Sequence, residues 1–173
     1  MTVDWHNNLE LAEPEHSVMP GEFYCAAERA ILSTLLGSCV AVCLWDQSRQ
    51  LGGMNHFVLP RAPEGQVSAR YGDVAITCLV DGIVGLGARI ETLQAKIFGG
   101  ADVLTFGSQP PIGAANVALA LDYLRHYGIP VAAQRTGGKR GRLIKFHTGT
   151  GEVLARSIAV SQVTPGSGRD CAA

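Results

Sequence analysis

The sequence has no long apolar run and no strong excess of charge of either sign. No apolar stretch approaches the roughly 18 to 20 residues that a membrane-spanning helix needs, and the segment Met1–His16 is polar and acidic, so neither a membrane span nor a signal peptide is expected. Lysine and arginine number 14 against 15 acidic residues, which excludes a chain-wide field that would attract nucleic acid or anionic lipid. We therefore expect a cytoplasmic protein with no membrane insertion.

The cysteines are too few and too irregular for a disulfide framework. There are 5 of them, an odd number, and no two form a C-x-x-C pair, so a zinc knuckle is not indicated either. At least one thiol should be free. The cysteines are Cys25, Cys39, Cys43, Cys78 and Cys171.

What the chain does have is length and apolar content for one globular domain. It has 173 residues, of which 47% are hydrophobic. Its 21 glycines fall in tight pairs that are typical of backbone corners, such as Gly99-Gly100 and Gly137-Gly138. We expect an N-terminal arm or first short strand over residues 1–20, a domain over 21–162 and a flexible C-terminal tail over 163–173.

The hydrophobic spacing predicts two helices among several strands. Apolar residues three and four apart predict a helix from about Tyr71 to Leu86, and the same spacing predicts a second from about Gly113 to Tyr127. The remaining apolar segments predict strands, namely 23–25, 30–36, 37–46, 53–59, 93–98, 131–134, 143–147 and 153–157.

A hairpin in the first half of the chain brings a thiol and an imidazole together. If its loop is centred between Gln47 and Ser48, Cys39 lies directly opposite His56, with Cβ atoms about 4.5–5.5 Å apart on one face. A register slip by one residue would put the two side chains on opposite faces.

This pair has the chemistry of a cysteine hydrolase. An imidazolium favours the thiolate of Cys39, and His56 could hold a proton for a leaving group. Gly37 and Ser38 leave room for a substrate carbonyl, and backbone N–H groups there could stabilise an oxyanion. On spacing alone, however, a buried structural role explains each residue better than catalysis does.

Two motifs in this hairpin resemble the signature of the CheD family, the chemoreceptor glutamine deamidases. They are Leu36–Val42 and Gly52–Pro60. The likeness extends over roughly residues 21–158, through Lys96–Ala101, the pair Gly113 and Asn116, and the turn Gly137–Arg142.

The resemblance implies a cysteine amidohydrolase with an α+β fold, in which two main helices pack on one side of β-sheets, as in toxin-type glutamine deamidases. Cys39 takes the family's nucleophile position and His56 its general acid–base position. Ser33 takes the position of the hydroxyl that orients the histidine, where the family usually has threonine. The neighbouring Thr34 should then point to the other face of the strand. No metal or organic cofactor is implied.

The implied reaction is hydrolysis of glutamine side chains to glutamate on the cytoplasmic helices of chemoreceptors. A CheC-type phosphatase is a further partner that the resemblance implies. Two alternatives stay open: a non-catalytic adaptor that binds receptor or phosphatase, which the serine at position 33 favours, and a general cysteine hydrolase of small amides or thioesters.

Three further features have a simple structural interpretation. The basic cluster Lys139–Arg142 has few aromatic residues near it, which favours a solvated turn over a nucleic-acid contact. Asn116, near a helix start, is expected to cap that helix or bond locally. Arg135 replaces the family's usual aspartate and changes the electrostatics of the adjacent turn.

Overall fold

The computed structural model describes residues 13–103 and 111–159. The expected tail, and residues 1–12 of the expected arm, lie outside the described residues. The strands are β1 Glu15–Ser17, β2 Glu22–Ala26, β3 Ile31–Leu36, β4 Val40–Asp46, β5 Leu51–His56, β6 Leu93–Gly99, β7 Val131–Thr136, β8 Gly141–His147 and β9 Val153–Ile158. The helices are α1 Gly72–Gly85 and α2 Ile112–His126, and a 3₁₀ turn covers Ile90–Thr92.

The strands form two sheets, and the α+β class is confirmed. One sheet has the order β1-β3-β8-β9 and the other the order β2-β5-β4-β6-β7. Both helices were predicted to within one residue at each end. None of the helices in the described residues is long and apolar enough to cross a membrane.

The two sheets and the helices stack in three layers with two cores. Val40, Val42 and Leu44 of β4 point toward α1 and α2, whereas Ala41 and Cys43 point toward the four-stranded sheet. This alternation along one strand is the period-two pattern of a strand buried on both faces. The five-stranded sheet is therefore the middle layer.

The hairpin of β4 and β5 has a different register from the predicted one. Asp46 pairs with Leu51, so the loop has four residues rather than two and the pairing is shifted by two positions. The Asp46 carboxylate explains the longer loop, because its Oδ1 accepts hydrogen bonds from the N–H groups of Ser48 (2.9 Å) and Arg49 (3.3 Å). Gln50 closes the loop with a φ of +53°.

The shift changes how Cys39 and His56 meet. Val40 bridges to Phe57, so His56 lies diagonally across from Cys39 instead of directly opposite. A two-residue shift keeps both side chains on one face, the face toward the inter-sheet core. Diagonal neighbours are about 7 Å apart, and in the described residues no hydrogen bond joins His56 Nε2 to Cys39.

Candidate active site

Cys39 lies where the chain passes from one sheet to the other. β3 belongs to the four-stranded sheet and β4 to the five-stranded sheet, and Gly37–Cys39 is the bend that joins them. The carbonyls of these three residues accept hydrogen bonds, in chain order, from Ala101 N–H (2.9 Å), Asn116 Nδ2 (3.1 Å) and Gly100 N–H (2.8 Å). The bend is therefore held through its carbonyl oxygens.

The bend has two backbone N–H groups, those of Ser38 and Cys39, that could bind a substrate oxygen. In the part of the chain that the structure describes, neither Ser38 N–H nor Cys39 N–H takes part in a backbone hydrogen bond. Burial raises the pKa of the Cys39 thiol, while its own backbone N–H and the charge of Arg70 act in the opposite direction.

His56 is held on one side and unpartnered on the other. Its Nδ1 lies 2.8 Å from Thr34 Oγ1 and 3.4 Å from the Val18 carbonyl. Its Nε2 is buried and has no hydrogen-bond partner among the described residues. Burial lowers the pKa of His56, against smaller opposing effects of the Val18 carbonyl and the Glu22 carboxylate. The ring is therefore neutral near pH 7.

The hydrogen bonds of Thr34 determine which ring nitrogen carries the proton. Thr34 Oγ1 lies 2.6 Å from the Val18 carbonyl, which can only accept, so the single hydroxyl proton is donated there. The contact with His56 then requires Nδ1–H to donate to Thr34 Oγ1. A neutral imidazole with its proton on Nδ1 has a free lone pair on Nε2, the form that a general base needs.

The structure corrects the prediction for Ser33. Thr34, not Ser33, contacts the histidine, because Thr34 shares a face of β3 with the fully buried Leu32 and Leu36. The hydroxyl of Ser33 points the other way and lies 3.5 Å from Ser17 Oγ. The expectation that Thr34 faces away was wrong for the same reason.

Asn116 was also misassigned. It caps no helix, and its side chain is fully buried between α2 and the two segments of the site. Its Nδ2 donates to the carbonyls of Ser38 (3.1 Å) and Val58 (2.9 Å).

The basic turn has structural contacts. Arg142 donates to the carbonyls of Gly99 (3.3 Å) and Gly137 (2.7 Å), and Lys145 forms an ion pair with Glu15. Arg135 donates to the Ala155 carbonyl, and its charge adds to burial in lowering the pKa of Arg142. Of the basic residues in Lys139–Arg142, these contacts give Arg142 a structural role.

Gly99 makes the close approach that shapes the bend at Cys39. Its φ is +104°, and a Cβ placed on it would collide with the Cys39 carbonyl oxygen. Gly87 has nearly the same φ, +103°, but a Cβ there would meet open space. A substitution at Gly87 therefore introduces backbone strain alone, whereas the same substitution at Gly99 introduces backbone strain and a collision.

We expect Gly99→Ala to destabilise the protein more than Gly87→Ala. The left-handed backbone alone costs about 1–2 kcal/mol in each variant. The collision with Cys39 adds about 1–3 kcal/mol in Gly99→Ala only. Urea unfolding of both variants measures the difference, and equal losses in the free energy of unfolding would contradict the close approach at Cys39.

Comparison with known proteins identifies the family. A family model described as CheD chemotactic sensory transduction matches residues 58–157, more than half of the chain. A Rhodospirillum rubrum protein named "Probable chemoreceptor glutamine deamidase CheD" is 51% identical over 84% of this chain and 83% of its own length. Proteins of the same name from Trichlorobacter lovleyi and Caulobacter vibrioides are 45% and 40% identical over 81% and 92% of this chain.

Among solved structures, a Bacillus licheniformis hypothetical protein, YfiH, aligns with 73% of this chain and 61% of that chain, at a TM-score of 0.40 and 13% identity. That similarity is too low to inform the fold or the function. The sequence relatives are similar enough to be informative. A match over 84% of the 173 residues includes both Cys39 and His56 wherever it begins. This chain belongs to the CheD family.

Proposed function

We propose that the protein is a chemoreceptor glutamine deamidase that uses Cys39 as nucleophile and His56 as general acid–base. The observation that carries the proposal is the environment of the imidazole. Thr34 holds Nδ1, and Nε2 is buried and unpartnered on the face of the sheet that also holds the thiol. The names of the relatives supply the reaction and the substrate.

In the first half of the reaction, the Cys39 sulfur attacks the carbon of the glutamine carboxamide. The thiol proton passes to His56 Nε2, and the carbonyl oxygen becomes an oxyanion that the N–H groups of Ser38 and Cys39 can stabilise. The intermediate collapses as Nε2 returns the proton to the leaving nitrogen. Ammonia departs and a thioester remains.

The second half hydrolyses the thioester. Nε2, neutral again, takes a proton from water as the water attacks the thioester carbon. The second tetrahedral intermediate collapses, the proton passes to sulfur, and glutamate is released. The sum is one carboxamide and one water converted to one carboxylic acid and one ammonia.

The surroundings of the site suit a helical protein substrate. Met19 and Tyr24 are large apolar side chains, each more than a third exposed; Tyr24 lies on β2, whose Glu22 pairs with His56, and Met19 comes shortly before this strand. Glutamine projecting from a receptor helix could reach the bend at Cys39 while the helix rests on these side chains.

The CheC-type phosphatase stays a prediction from the resemblance.

The test is the mass of a chemoreceptor cytoplasmic fragment after incubation with the protein. Each deamidation replaces an NH₂ group by an OH group, so it raises the mass of the fragment by the difference between the masses of these two groups. A matched fragment with asparagine in place of the target glutamines should not change at those sites. An unchanged glutamine fragment would support the adaptor, and equal turnover of small amides would support the general hydrolase.

We expect Thr34→Val to slow deamidation by about 10- to 100-fold, the scale of a misplaced catalytic group. Valine has the same shape but cannot accept a hydrogen bond from Nδ1–H, so the ring loses its fixed orientation and tautomer. Thr34→Ser should keep most of the rate because it keeps the hydroxyl. The measurement is kcat on the receptor fragment.

Ser33→Ala is the matched control on the same strand, because its side chain points away from His56. It should leave kcat unchanged. A larger loss in Ser33→Ala than in Thr34→Val would restore Ser33 as the residue that orients the histidine.

A further inference from the structure

One buried amide joins the two segments that carry the site. Asn116 Nδ2 donates to the carbonyl of Ser38, the residue before Cys39, and to that of Val58, two residues after His56. Both neighbours are acceptors, so the amide cannot be flipped without setting Oδ1 against two carbonyl oxygens. Oδ1 is buried and has no partner among the described residues.

The Ser38 carbonyl belongs to the same peptide group as the Cys39 N–H. A hydrogen bond to the oxygen of a peptide group polarises that group and strengthens its N–H as a donor. It also fixes the plane of the peptide and hence the direction of the N–H bond. The Cys39 N–H belongs to the same residue as the attacking sulfur, so it is near the place where the oxyanion of a bound carboxamide would form.

We propose that Asn116 is a positioning residue for oxyanion stabilisation, acting through the Ser38–Cys39 peptide. The second hydrogen bond, to Val58, fixes this peptide relative to the strand that ends in His56. The inference rests on the proposed deamidase function. It assigns Asn116 no contact with substrate.

The test separates oxyanion stabilisation from thiol reactivity. Deamidation passes through an oxyanion, whereas alkylation of Cys39 by iodoacetamide requires only the thiolate. We expect Asn116→Ala to lower kcat by about 10- to 100-fold, somewhat less than the loss of a whole oxyanion donor, with little change in KM. The limiting rate of Cys39 alkylation at alkaline pH, where the thiol is fully ionised, should match wild type when it is followed by mass spectrometry of the Cys39 peptide.

Two further variants control for folding. Leu119→Ala removes a buried side chain from the same helix without touching the Ser38 carbonyl, and it should keep kcat at temperatures well below its midpoint of unfolding. If Asn116→Ala does not fold, Asn116→Leu has nearly the same shape. Its side chain cannot donate a hydrogen bond, so it should show the same selective loss.

The outcomes are distinct. A full deamidation rate in Asn116→Ala or Asn116→Leu would overturn the inference and leave the proposed function intact. A parallel loss of alkylation and deamidation would also overturn it, because Asn116 would then act on the sulfur. Failure of the wild-type protein to deamidate a receptor fragment would instead overturn the proposed function.

Discussion

Replacing Cys39 with alanine is expected to lower the deamidation rate by about 10³-fold or more, the scale seen when a catalytic nucleophile is removed. No thioester can form without the sulfur, and a neutral imidazole is too weak a base to drive direct attack of water on a carboxamide. Intact-mass measurement of a receptor fragment over time gives the rate. The variant should fold, because it removes only one atom from a half-buried side chain.

Cys78→Ala is the matched control for this prediction. Cys78 is also a free, half-buried cysteine, but it lies on α1, which packs on the opposite face of the middle sheet. Its replacement should leave the rate unchanged. Residual deamidation by Cys39→Ala at the wild-type rate would exclude Cys39 as the nucleophile, whatever its position in the fold.

The helices and most strands could be predicted because their signals are local. Ile76, Leu79 and Ile83 mark one face of α1 by their spacing alone, and all three are fully buried. The register of the hairpin was harder to predict from the sequence, because it depends on the number of residues in the loop. Here the carboxylate of Asp46 stabilises a four-residue loop, a contact that hydrophobic alternation does not reveal.

The choice between Ser33 and Thr34 failed for a related reason. Both faces of β3 carry apolar residues, with Leu32 and Leu36 on one and Ile31 and Leu35 on the other. Alternation therefore did not indicate the inner face. Leu35 is 44% exposed, whereas Leu32 and Leu36 are at most 1% exposed, and this difference exists only once the second sheet is in place.

The contacts around Cys39 are long-range in sequence. Asn116 lies 78 residues from Ser38 along the chain. Gly100, whose N–H binds the Cys39 carbonyl, is also distant from Cys39 in sequence. The motifs marked these residues without indicating what they do. Only the packing of α2 against the sheet brings them to the bend, so their roles could not be read from spacing.

Replacing His56 with alanine is expected to lower the deamidation rate by about 10²- to 10⁴-fold, the usual contribution of a general acid–base. The pH dependence should change as well. In the wild type, the active form holds one proton between Cys39 and His56. Its rate therefore falls at acid pH when His56 is protonated and at alkaline pH when Cys39 loses its proton.

The directions of the two pKa shifts set the width of the wild-type profile. Burial lowers the pKa of His56 below its ordinary value of about 6.5 and raises that of Cys39 above about 8.5, so kcat/KM should be flat through neutral pH. In His56→Ala only the thiolate is needed, so the small remaining rate should rise with pH as Cys39 ionises, without the neutral plateau and without the alkaline fall of the wild type. His126→Ala, an exposed histidine at the end of α2, should reproduce the wild-type profile. An alkaline limb that persists in His56→Ala would mean that another group supplies the proton to the leaving nitrogen.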